Sequence, residues 1–294
     1  MEINKLLKFL ACPNCHSDLT LVNSKKLCCS NCSETYQIIK GIPILINKKS
    51  LDSQEKKQTI WFNKHYSQFE NKYHLENWRI SMLNRIFKQD FSSKIKTYLD
   101  IGCGATGYTA IEAAKQNNWL SFGIDISLEA MIKAKHFSKT QKVEDKTAFI
   151  VASAQNLPFK RNIFDYISLI SVLEHLEDDY STVNEIKNII KKNKFLYICV
   201  PNAYNKIIPI IWPFYYYNDL KIGHKRHYSI KSLNKLLKSF ILKKEFYNGH
   251  LIKFLQLFLD KTKIINNELW WKIEKQDINN KQTGVQLNVV YQKK

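Results

Sequence analysis

Tyr98-Leu99-Asp100-Ile101-Gly102-Cys103-Gly104-Ala105-Thr106-Gly107 is the stretch on which the fold turns. Residues of strand character run into a glycine turn, and helical spacing follows. Glycine has no Cβ, so such a turn lets the backbone approach a bound ligand closely. Taken alone, it fits a dinucleotide fold or an ordinary tight bend equally well. The next apolar run adds to it. Residues 120–125 (LSFGID) end in Asp125, 18 positions after Gly107. A carboxylate at that strand end can accept two hydrogen bonds from ribose hydroxyls, although a solvated strand-end acid is the bland alternative.

Working outward from this turn, short apolar runs alternate with helical stretches. The pattern predicts strands at 97–101, 120–125, 148–151, 165–170 and 194–200, with helices at 107–117, 127–138 and 179–192. Such alternation means a parallel sheet with helices on both faces, an α/β doubly wound architecture. Beyond 200 the chain is aromatic and irregular, with a helix expected at 229–239 and a late strand at 285–291. On the N-terminal side, Trp61, Phe62, Tyr66 and Phe69, then Leu75, Trp78, Met82 and Ile86, recur at helical spacing and predict one or two helices.

The first 47 residues read differently. Cys12-Pro13-Asn14-Cys15 and Cys29-Ser30-Asn31-Cys32 each place two thiols on a tight turn. Four sulfurs from two such knuckles can enclose Zn²⁺ tetrahedrally at about 2.3 Å, in a closed and therefore structural site. So small a segment buries little core, which makes the metal a large part of its folding free energy. Cys28 is a competing ligand at this stage. The expected division is a zinc ribbon at 1–47, a polar linker at 48–57, and one domain at 58–294 with an aromatic insertion near 204–228.

The chain has 294 residues and a net charge of +19. Residues 191–294 hold 20 lysines and arginines against 6 acids, whereas residues 61–190 are nearly neutral. Two readings stand. The basic tail faces something anionic, such as RNA, a phosphorylated lipid carrier or a membrane surface, or it reflects a lysine-rich base composition. No apolar run reaches the roughly 18 residues a spanning helix needs, and no secretory pattern opens the chain, so a cytoplasmic protein is expected.

The flanking text carries two resemblances. GIDISLEAMIKAK is similar to the second motif of class I S-adenosylmethionine-dependent methyltransferases, and AQNLPFKRNIFDYISLISVLEHLED resembles their third and fourth motifs. The likeness is to the ubiquinone/menaquinone-type branch and covers about residues 60–250. It implies a Rossmann-like seven-stranded sheet. It also implies that Asp100, Gly102, Cys103, Gly104 and Gly107 hold the methionine part and Asp125 the ribose. Ile126, Ser153 and Ala154 would meet the adenine, and Leu173, Glu174 and His175 would line the substrate side. Two positions depart from that pattern. Thr106 stands where glycine is usual, and Ser153 stands where an aspartate commonly accepts from the adenine amino group. In the N-terminal segment, LACPNCHSDL, CSNCSETYQI and KGIPILI resemble the zinc-ribbon family that includes the activating subunit of several tRNA, rRNA and protein methyltransferases. That likeness covers residues 9–46 and implies docking onto a methyltransferase domain.

Methyl transfer from a sulfonium needs a positioned nucleophile, excluded water and, for a hydroxyl, a base. Candidate bases are Glu174 and His175, beyond the fourth strand, and His224, with His227 beside it in GHKRHYS. That segment resembles one bordering the acceptor pocket of methyltransferases of small polar or glycan-like substrates. Packed histidines and a helix cap at Ser229 are the bland alternatives. The insertion YNKIIPIIWPFYYYNDL (204–220) is read as a lid packed on the core, with a lipid-like acceptor or a peripheral membrane contact as alternatives. The functional expectation is O-methylation of a small-molecule, glycan or lipid-linked acceptor. An RNA base methyltransferase and a non-catalytic cofactor-binding adaptor are the alternatives.

Overall fold

The computed structural model describes residues 1–47, 51–68, 73, 96–204, 209, 212–248 and 284–294. A short helix α1 (Ile3–Leu6) precedes four ribbon strands, β1 (Leu19–Asn23), β2 (Lys26–Cys29), β3 (Thr35–Ile39) and β4 (Ile42–Leu45). Helix α2 (Ser53–Ser67) follows. The main domain then runs β5 (Thr97–Ile101), α3 (Tyr108–Asn117), β6 (Leu120–Asp125), α4 (Leu128–Thr140), β7 (Thr147–Ala152), β8 (Phe164–Ile170), α5 (Asp179–Ile189) and β9 (Ile190–Pro201). Helices α6 (Trp212–Ile222) and α7 (Ile230–Leu236) and strands β10 (Phe240–Asn248) and β11 (Gln286–Lys293) complete it.

Seven strands form the expected sheet in the order β7-β6-β5-β8-β9-β11-β10. The pairs from β7 to β9 are parallel, and β11 is antiparallel to both of its neighbours. The order reverses between β5 and β8, and ligands bind at the C-terminal strand ends beside such a switch. Strand β5 is buried along its whole length, as a central parallel strand between two helical layers must be. Its side chains alternate: Tyr98 joins the core under α3 and α4, while Leu99 and Ile101 join the core under α5.

The ribbon does not hang from this sheet but extends it. Strand β4 pairs in parallel with β7, Ile44 beside Val151 and Leu45 beside Ala152, so the ribbon's four strands continue the sheet to eleven. Leu6, Leu10, Leu27 and Tyr36 share one buried cluster with Phe122 and Phe159 of the main domain. Backbone bonds fasten the seam, from Ala11 N–H to the Pro158 carbonyl (3.0 Å) and from Lys160 N–H to the Phe9 carbonyl (2.9 Å). On the opposite face, Lys135 Nζ donates to the Lys40 and Gly41 carbonyls at 2.8 and 3.0 Å.

Three sequence readings gain detail here. Helix α2 begins at Ser53, inside the stretch read as linker, because Asp52 and Glu55 close a capping box around its first turn. Strand β10 was not anticipated. Its burial pattern has a run of exposed lysine and glutamate at its centre, which hides the alternation a strand should show. The expected helical periodicity from Phe69 to Ile86 lies outside the described residues apart from Tyr73. No described helix is long and apolar enough to cross a membrane.

Candidate functional site

The C-terminal ends of β5, β6 and β8 open into a cleft of about 740 Å³. The turn after β5 forms its floor. Gly104 N–H donates to Asp125 Oδ2 at 3.1 Å, and Ser127 N–H to Oδ1 at 3.0 Å. The strand-end acid thus fixes the glycine turn through one lone pair on each oxygen and retains a second on each for a ligand. Gly107 accounts for the unusual Thr106. It has φ +52°, and a Cβ there would lie 2.7 Å from the Phe149 ring and 2.9 Å from the Ala134 Cβ. Beside Thr106 the left-handed position that needs glycine is therefore 107, and Thr106 is not among the residues with positive φ.

Asp100 is buried in the same floor and accepts from Ser168 Oγ at 2.6 Å. Burial pushes its carboxyl up to about 7 and that of Asp125 up to about 6, against partial relief from their hydrogen bonds. Two buried acids raised in this way favour a cationic, hydroxyl-bearing ligand, which would return them to the charged form. Gly102, Cys103, Gly104, Ile126 and Ala154 also line the cleft. Burial holds the Cys103 thiol far above its usual range, so it is an inert wall.

Ser153 does not line the cleft. Its hydroxyl donates to Glu55 Oε1, and Glu55 does line it. Helix α2 forms a wall from the base of this contact onward. Gln58 Nε2 donates to the His175 carbonyl at 3.0 Å, and Asn63 Oδ1 accepts from Ser127 Oγ at 2.8 Å. Sequence reading placed this helix without its role; the D-x-x-E capping box was the available signal.

At the other end His175 lines the cleft, as does Gly223 beside it. Burial, with His224 beside it, lowers its pKa to about 4, so it is neutral at ordinary pH. The His224 ring lies 4.9 Å from it. Glu174 turns away from the cleft and is fully buried. Its oxygens have no hydrogen-bond partner among the described residues, with Oε1 4.0 Å from His224 Nε2. Burial pushes it up to about 8. A shielded, largely protonated acid of this kind is a second neighbour to the cleft, not a cleft residue. His224 does not line the cleft either; its Nδ1 is 2.7 Å from Asp219 Oδ1, and His227 Nε2 is 2.6 Å from Asp219 Oδ2. Asp219, on α6, therefore orients both histidines and was missed by sequence reading, where it sat unmarked among tyrosines. Arg226 and Tyr228 both engage Asp179, fastening the GHKRHYS segment to the start of α5. Ser229 caps α7 through Ser232 N–H. Within the insertion Tyr204 stacks on His227, whereas Tyr216 and Tyr217 are exposed.

In the ribbon, Cys12, Cys15, Cys29 and Cys32 bring their sulfurs within 4.8 Å of one another. Cys15 and Cys29 are 3.4 Å apart and Cys12 and Cys32 3.7 Å, close to the edge of a tetrahedron with 2.3 Å metal–sulfur bonds. Backbone N–H groups of Asn14 and Asn31 point at Cys12 and Cys29, as donors to thiolate should. Cys28 stands outside this group and faces the Cys29 carbonyl.

Comparison with known proteins finds two families. Residues 99–198 match the family described as methyltransferase domain, and residues 4–41 the family described as Trm112p-like protein. Norajmaline N-methyltransferase of Rauvolfia serpentina is 39% identical over 97 residues, which span 33% of this chain and 33% of that enzyme. The ubiquinone/menaquinone biosynthesis C-methyltransferase UbiE of Rickettsia prowazekii is 29% identical over 181 residues, 58% of this chain and 72% of its own. Geranyl diphosphate C-methyltransferase from Streptomyces coelicolor, solved with Mg²⁺, geranyl diphosphate and S-adenosyl-L-homocysteine, shares the fold at TM-score 0.61 with 10% identity, covering 83% of this chain and 99% of that one.

Proposed function

We infer that this chain, whose residues 99–198 match a methyltransferase-domain family and whose residues 4–41 match a Trm112p-like one, methylates a hydroxyl on a small-molecule, glycan or lipid-linked acceptor with S-adenosylmethionine as donor. One observation carries the reading: a single cleft joins the acid pair Asp100 and Asp125 to a neutral imidazole at His175. Bound S-adenosylmethionine supplies an electrophilic methyl carbon on a cationic sulfur. Asp125 takes the ribose diol, and Asp100 lies near the positively charged methionine end, where its buried carboxyl gains a counter-charge. The Gly102–Gly107 turn brings backbone N–H groups against the same part. His175 accepts the acceptor's hydroxyl proton as the oxygen attacks. Positioning falls to the network behind it, in which Asp219 fixes His224 and His224 packs on His175. Helix α2 excludes water from above.

The four thiols of Cys12, Cys15, Cys29 and Cys32 suit Zn²⁺ in a structural role, since the tetrahedron leaves no position for substrate. The functional division falls between the ribbon at 1–47 and a transferase unit that begins with helix α2, with the ribbon acting as a built-in brace for the β7 edge. The basic tail, much of it outside the described residues, would steer an anionic acceptor.

The test uses S-adenosylmethionine labelled in its methyl group, with small-molecule, lipid and RNA fractions offered separately. The reading expects label in the small-molecule or lipid fraction, and His175→Ala to lower kcat about a hundredfold. Label confined to RNA would replace the acceptor class. Cofactor binding without transfer to any fraction would favour an adaptor.

A further inference from the structure

Glu55 sits on the helix that links ribbon to main domain, is only 3% exposed and lines the cleft. Two protein groups hold it. Ser153 Oγ donates to Oε1, and Asp52 N–H donates to Oε2 at 3.1 Å. Asp52 is itself tied to the main domain, where Gln155 Nε2 donates to its Oδ2 at 3.0 Å. A carboxylate has about four acceptor sites, so two remain for whatever fills the cleft. The mechanism above makes no use of them.

The sheet fixes what lies opposite. Asp125 ends β6, and Ser153 follows the end of β7, the adjacent strand, with Asp125 in register with Val151. Neighbouring strands lie about 4.8 Å apart. A nucleoside whose ribose sits on Asp125 therefore lays its base across Ile126 and Ala154 towards the end of β7, where Glu55 waits. An acceptor-only group at a buried base edge selects a base that donates there. We propose that Glu55 receives the exocyclic amino group of the cofactor's adenine, with Ser153 as the residue that orients it. The helix leaving the ribbon thereby supplies part of the cofactor site, which makes cofactor affinity depend on how that helix is seated.

This inference rests on the reading of the cleft as an S-adenosylmethionine site, and the experiment separates the two. Full-length, metal-loaded protein is titrated calorimetrically with S-adenosylhomocysteine and with S-inosylhomocysteine, in which the exocyclic amine is replaced by oxygen. Wild type should prefer the adenine compound by at least about tenfold, because an oxygen would face a carboxylate with no proton between them. Glu55→Gln keeps the size of the side chain and the capping box, yet presents an amide N–H. It should lose most of that preference, chiefly by binding the inosine compound better. Ser153→Ala should erode the preference partway. A purely structural Glu55 would lower both affinities together and leave their ratio intact, and that result overturns the proposal. Wild type binding the adenine compound, with an undiminished preference in Glu55→Gln, overturns it while sparing the cleft assignment. Folded wild type that binds neither compound overturns both.

Discussion

At the end of the cleft proposed to hold the cofactor, Asp100, Gly104 and Asp125, with Gly107 behind them, all come from one strand–helix–strand unit, and Asp125 accepts from the very turn it faces. At the acceptor end, His175 follows β8, Gly223 ends the α6 segment, and Asp219 reaches in from the aromatic insertion. In the first end the turn itself is fixed by local backbone geometry, with Ser168 and helix α2 adding support from afar; the second end rests wholly on contacts between segments far apart in sequence. The cofactor end should therefore withstand damage at the acceptor end, and the converse should fail.

The largest expected effect concerns the edge on which both ends rest. With Zn²⁺ held by the four cysteines as proposed, removing it with a chelator, or Cys29→Ser, should unfold the ribbon and expose the shared cluster around Leu10, Phe122 and Phe159, costing more than about 5 kcal/mol. Thermal melting with and without chelator would show a single large downward shift; a melt that keeps its midpoint would mean that the ribbon is not part of the core. Next, Gly107→Ala forces a Cβ into Phe149 at a left-handed φ and should cost about 3 kcal/mol, with weaker cofactor binding. Denaturant unfolding measures the first and calorimetry the second. Asp219→Ala should lower kcat about tenfold to a hundredfold while leaving the S-adenosylhomocysteine Kd within about twofold. An equal loss in both would dissolve the distinction between the two ends.

The buried acids give a pH signature. Asp100, Asp125 and Glu174 have pKa values raised to about 7, 6 and 8 in the folded protein. The folded chain then holds more protons than the unfolded one, so stability falls as pH rises from about 4 towards 8. His175, lowered to about 4, acts oppositely, but only up to its ordinary value of 6.5. Between pH 6.5 and 8 His175 no longer titrates, and these three carboxyls contribute a loss on the order of 2 kcal/mol in the cofactor-free protein. Saturating S-adenosylhomocysteine should flatten that slope by stabilising charged Asp100 and Asp125. The smallest effect is Cys28→Ser, which should leave metal content at one ion per chain and shift stability by no more than about 0.5 kcal/mol.

The same asymmetry decides what can be read from the sequence. Strands β5, β6 and β8 and the residues at their ends could be read because a buried parallel strand, a glycine turn and a terminal acid are local signals. The four cysteines could be read for the same reason, since their spacing alone sets the knuckles. Glu55, Gln58 and Asp219 could not. A charged residue in a polar stretch looks like solvent-facing linker until tertiary packing buries it, and Asp219 acquires its role only when α6 folds back onto His224 and His227. Ser153 shows the limit most clearly: it is a weaker substitute for an acid when read alone, and a support for another acid once α2 is in place.

The central claim, that one cleft holds the cofactor at its acid end and the acceptor at its histidine end, is tested most directly by calorimetric titration with S-adenosylhomocysteine of wild type, Asp125→Ala and His175→Ala. Tight binding by wild type is expected, weakened at least about a hundredfold by Asp125→Ala and changed less than about threefold by His175→Ala. Equal weakening in both variants, or no binding by folded wild type, would contradict the account.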